Sequence, residues 1–126
     1  MINEFKPEKY DKVHRKENLI DKYEARLGSY LMQLTKQALN TEQTRQASLY
    51  LHTISDFERI GDHAADIADM SKSINENRMA MSDAAMDELN LVMEAVRESM
   101  NMTYHAYLED DLALARRVSP LGIVIR

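Results

Sequence analysis

The chain has 126 residues, enough for a single core, with a formal net charge of −5 and 44% apolar residues. That charge argues against nucleic acid, whose binding needs a cationic surface. The absence of cysteine excludes disulfides, thiolate metal sites and cysteine nucleophiles.

Three glycines and two prolines leave little for turns and predict a few long helices. Residues 1–12, "MINEFKPEKYDK", are polar and unpatterned, with Pro7 as a helix boundary; they read as a tail or linker remnant. From Val13, residues Ile20, Tyr23, Leu27, Tyr30, Leu31, Leu34 and Ala38 fall on one arc at about 100° per residue, predicting the first helix. Asn40 with Gln43 resembles a capping box opening a second helix that runs to about Ile74. Its apolar arc comprises Leu49, Phe57, Ile60, Gly61, Ala64, Ile67 and Ala68. Ser82 with Asp83 starts a third helix, and the "EDD" at 109–111 caps a short fourth that lasts until Pro120. No segment alternates with period two, so no sheet is expected. The fold class is therefore all-α, an elongated antiparallel three-helix bundle with a short fourth helix, occupying residues 13–126. The longest apolar run, "LGIVI", is far below the roughly 20 residues of a membrane span. No secretory leader pattern opens the chain.

The chemistry concentrates in "SDFERIGDHAADIAD", residues 55–69. Glu58, Asp62, Asp66 and Asp69 fall within an arc opposite the apolar stripe, three or four residues apart. Like charges so spaced cost about 0.2–0.5 kcal/mol per pair. Arg59 and Lys72 offset part of this. The first helix repeats the pattern: Glu17 and Asp21 form E-x-x-x-D, as do Glu58 and Asp62. Side-by-side packing would turn four carboxylates on one volume, a ligand set for a hard cation. His14, one turn before Glu17, and His63, beside Asp62, are candidate nitrogen ligands; Asp66 is a further oxygen ligand. The competing reading is an ordinary solvated acidic face, and spacing alone fits both. His52 and His105 read as structural, and the nine methionines as adaptable packing. No Glu-x-x-His, phosphate-cradling glycine loop, nucleophile elbow or H-E-x-x-H occurs, so catalysis is not expected.

The same segment resembles the signature of PhoU domains, D-x-E-R-I-G-D-H-A-x-x-I-A. Asp56, Glu58, Arg59, Ile60, Gly61, Asp62, His63, Ala64, Ile67 and Ala68 all match. "VHRKENLIDKY" from Val13 resembles the preceding family helix, and "DDLALARRVSPL" the same helix beginning again in a second repeat. The wording is most similar to the soluble C-terminal region of bacterial sodium–phosphate cotransporters. The resemblance implies a helical, non-catalytic regulator of phosphate uptake on the cytoplasmic face of the membrane. It also implies Glu17, Asp21, Glu58 and Asp62 as ligands to iron or another divalent or trivalent metal. Gly122 and Arg126 stand where a second repeat would offer its own acids, so one metal site is expected. The leading helix of the first repeat is missing from the pattern, and the chain reads as a fragment. The implied partners are the transporter's membrane domain or the rest of the second repeat. A free-standing metal-binding regulator of phosphate signalling is the alternative, and a metal-dependent phosphohydrolase the least supported. The third helix carries an apolar stripe of Leu89, Val92, Met93, Val96, Met100 and Tyr107, expected to bind a second copy in a homodimer.

Overall fold

Lys6 precedes a proline and takes an extended backbone (φ −127°, ψ 112°), as the ring of Pro7 demands of its predecessor. Pro7 then occupies the first turn of α1 (Pro7–Leu34), where its missing N–H costs nothing. The helix therefore starts well before Val13, and residues 7–12, expected as tail, belong to it. The computed structural model describes residues 5–125; the first residues of the expected tail and Arg126 lie outside them.

Asn40 caps α2 (Thr41–Glu76) as expected: its Oδ1 accepts from the Gln43 amide at 2.9 Å, and Gln43 Oε1 accepts from the Asn40 amide at 3.0 Å. Two of the orphan donors of the first turn are thereby satisfied. Ser82 Oγ accepts from the Ala85 amide at 3.2 Å and opens α3 (Asp83–Leu108). Asp111 Oδ1 accepts from the Leu114 amide at 2.9 Å and opens α4 (Leu112–Ile125). The ends of α2 and α3 share one device. Arg78 (φ 50°) and Asp110 (φ 52°) are left-handed. Beyond them the amides of Met79 and Asp111 reach back to the carbonyls of Ile74 and Ala106 at 3.0 and 2.9 Å. These are glycine-type helix stops made without glycine.

The fourth helix does not end at Pro120 but runs through it. Proline removes its own bond to the carbonyl of Arg116 and crowds that carbonyl, yet the helix continues. Leu114, Val118 and Leu121, half-buried on the face toward α3, hold the helix beyond that point.

All elements are helices, and no strand occurs among the described residues. They form two units dividing after Met79. In the first, α1 and α2 pack antiparallel along a seam of small residues. Ala47, Gly61 and Ala68 are buried, and Ser71 is 2% exposed. Small side chains bring the two backbones close: a Cβ on Gly61 would stand 3.2 Å from Ile20 Cδ1. In the second, α4 folds back along α3, burying Ala106.

Candidate functional site

The close approach at Gly61 decides where the acids go. With α1 and α2 in register at Ile20 and Gly61, the next turn of each helix presents a carboxylate on the same edge. Glu17, Asp21 and Asp62 each offer an oxygen within 4.8 Å of the others. Glu58 is not one of these three, but it stands near enough to Asp62 and Asp21 for their charges to raise its carboxyl. The two E-x-x-x-D pairs thus converge across the hairpin. Glu17, Asp21 and Glu58 are half-buried in the seam, and Asp62 is exposed at its mouth.

The electrostatic cost is visible in the acids themselves. Partial desolvation, then the neighbouring Asp21, raises the Glu17 carboxyl above its ordinary value. Desolvation, then Asp62, does the same to Glu58, with Asp21 and Glu24 adding to it. Asp21 Oδ1 is shielded from solvent and accepts no hydrogen bond. A sequestered carboxylate oxygen with no donor, among other carboxylates, is costly unless a cation serves it. The residues fit such an ion. Hard cations sit about 2.0–2.6 Å from oxygen ligands, so oxygens on opposite sides of one ion lie about 4–5 Å apart.

The histidines lie elsewhere. His14 Nε2 is 3.1 Å from Asp69 Oδ1, and the Tyr10 hydroxyl donates to the same oxygen at 2.8 Å. The Tyr10 and His14 ring centres lie 4.5 Å apart with the rings tilted by 54°, and the Lys72 ammonium lies 5.0 Å from the centre of the Tyr10 ring. The Tyr10 bond holds Asp69 below the usual carboxylate range, with His14 contributing, and raises the Tyr10 phenol. This clasp between α1 and α2 was not foreseen from the spacing, because Tyr10 lay in the segment read as tail. His63 is exposed, with Nδ1 3.9 Å from Asp66 Oδ2. Neither His14, His63 nor Asp66 belongs to the converging group, whose donors are all oxygen. The α2 acids are thus not one uniform face. Glu58 is half-buried, Asp62 completes the cluster, Asp66 faces solvent and Asp69 is clasped.

On α3 the expected stripe is divided. Leu89, Met93 and Val96 are half-buried, whereas Val92, Met100 and Tyr107 are exposed. Among the described residues no helix is long and apolar enough to cross a membrane.

Comparison with known proteins agrees with the geometry of the α1–α2 hairpin. A family model described as PhoU domain matches residues 1–71, which include the three converging acids and Glu58. No similar curated protein and no similar solved structure was found. A match over more than half of the chain, on the helix pair that builds the carboxylate cluster, places it in a family with a phosphate-related regulatory role: the chain belongs to the PhoU domain family.

Proposed function

We propose that the protein is a non-catalytic regulatory module of phosphate uptake, acting on a sodium-dependent phosphate transporter at the cytoplasmic face of the membrane. Its α1–α2 hairpin holds a hard cation at Glu17, Asp21 and Asp62, with Glu58 as fourth ligand. The observation that carries this reading is the shielded, donorless Asp21 Oδ1 inside a three-acid cluster on the very helices that match the family. Metal binding relieves the repulsion among these acids and locks α1 to α2. Loading then sets the rigidity of the hairpin presented to the transporter.

The all-oxygen donor set favours Fe³⁺, Mn²⁺ or Ca²⁺ over Zn²⁺. Thermal melts of metal-stripped protein test this. Fe³⁺ or Mn²⁺ at a hundred times its dissociation constant should stabilise the fold by about 2.7 kcal/mol, and Asp62→Asn should abolish the gain. An unchanged melt at saturating metal refutes the site. For the regulatory role, phosphate uptake is measured in cells whose transporter and module are both expressed. Asp21→Asn with Asp62→Asn should change the uptake rate at constant transporter abundance, and an unchanged rate refutes it.

A further inference from the structure

The two ends of the α1–α2 hairpin are held differently. At one end the chain itself joins the helices, between Leu34 and Thr41. At the open end the clasp around Asp69 does so. Its Oδ1 accepts the Tyr10 hydroxyl at 2.8 Å and stands 3.1 Å from His14 Nε2. The His14 and Asp69 side chains are 29 and 57% exposed, so both exchange protons with solvent. The α2 residues in the seam beside them, Ala68 and Ser71, are buried but small. Little apolar area therefore supports this end, and local opening of the hairpin starts here.

We propose that the clasp is a proton-operated latch. The charge on His14 sets how firmly the first turns of α1 are held to α2, closing this end of the hairpin as pH falls and loosening it as pH rises. Imidazole is the side-chain group whose charge ordinarily changes between about pH 5 and 8. Its placement here is particular. Among the described residues, the His63–Asp66 pair lies within α2 and the His105–Glu109 pair at the end of α3, whereas His14–Asp69 joins two helices. With a charged ring that contact is an ion pair; with a neutral ring it is at most a hydrogen bond with one charged partner. The other charges around it come from both helices. Asp11 on α1 and Glu76 on α2 bear on Tyr10, and His14 in turn lowers Glu17, one turn on. The attraction of Lys72 for Asp69 stays within α2, and only its contact with the Tyr10 ring crosses the seam. The Tyr10 phenol, raised above its ordinary value of 10.0, stays protonated and supplies a hold that does not vary with pH in this range. A partner that favours the charged ring grips fully below the histidine range and lets go above it. The latch closes without a cation in the carboxylate cluster.

Hydrogen exchange of the full chain in chelator tests it, read by mass spectrometry as protection factors at about pH 5.5 and about pH 8. Protection of residues 10–16, taken relative to residues 26–34 of the same helix, should be about threefold lower at the higher pH, the worth of one partly exposed ion pair. His14→Gln should abolish that difference with helical circular dichroism retained, and Asp69→Asn should abolish it as well. Tyr10→Phe should lower protection at both pH values and keep the difference. Glu17→Gln with Glu58→Gln should also keep it, which separates the latch from repulsion within the carboxylate cluster. Equal protection at both pH values overturns the inference. So does a difference that survives either His14→Gln or Asp69→Asn, and so does one that Glu17→Gln with Glu58→Gln removes.

Discussion

Gly61 has two effects on one helix face. It lets α1 and α2 approach, and it thereby draws Glu17 and Asp21 against Asp62. A single methyl there meets only the mobile end of Ile20, at 3.2 Å. The gain in helix propensity, about 1 kcal/mol, offsets that crowding, so Gly61→Ala should stay within about 1 kcal/mol of wild type. Gly61→Val has no such room and should cost about 1–3 kcal/mol by overpacking, read by urea denaturation. The acids beside it make a separate, pH-dependent contribution. Glu17 and Glu58 titrate above their ordinary value of 4.5 when folded. Stability from a raised group is fully present below its unfolded value and lost as pH rises through its folded value. Asp69 is depressed below its ordinary 3.8, so its contribution is present above that value and lost as pH falls through the folded one. Metal-free protein should therefore melt higher near about pH 5 than at about pH 7. Glu17→Gln with Glu58→Gln should raise the melting temperature at neutral pH and flatten that dependence, and thermal melts in chelator decide it.

At the level of the element, each helix owes its limits to local chemistry that the sequence displays. The Asn40–Gln43 capping box is the clearest case, and Asn40→Ala should cost about 1 kcal/mol. The stops of α2 and α3 are less favourable than they could be. Arg78 and Asp110 hold left-handed backbone at φ 50° and 52° without being glycine. Asp110→Gly should therefore stabilise the fold by roughly 0.5–1 kcal/mol, measured by denaturant midpoint at unchanged slope. A loss of stability would mean that the Asp110 side chain supports the turn in some other way. Pro120 shows the limit of punctuation rules. A proline ends a helix only where the turn around it has nothing else to hold it, and Leu114, Val118 and Leu121 hold this one.

For the whole molecule, the division after Met79 falls in an exposed stretch between α2 and α3. Arg78 in that stretch offers trypsin a cation on exposed, non-helical backbone, whereas the other described arginines lie within helices. Brief digestion should cut after Arg78 about tenfold faster than at any helical arginine, because helical sites must first open locally. Mass spectrometry of the first products would show fragments ending at Arg78 and beginning at Met79, beside those from Lys36, the exposed lysine of the connector between α1 and α2. Equal early cleavage inside α2 or α3 would mean that those helices open as readily as the connector.

What the sequence determined by itself was the class of the fold and most element boundaries. Helical period, oxygen caps at Asn40 and Ser82 and the absence of period-two segments are local properties, and local rules decide them. It also identified Glu17, Asp21, Glu58 and Asp62 as a set, because identical spacing on two adjacent helices is visible in one dimension, and the signature around Gly61 pointed to the family. Tertiary structure alone decided which residues of that region share a volume. Spacing within α2 placed four acids on one arc, yet close packing at Gly61 drew Glu58 into the seam and left Asp66 in solvent. His14 went to Asp69 and Tyr10 rather than to Glu17, because the nearest acid across the seam is chosen by the register of two helices. No single helix carries that information.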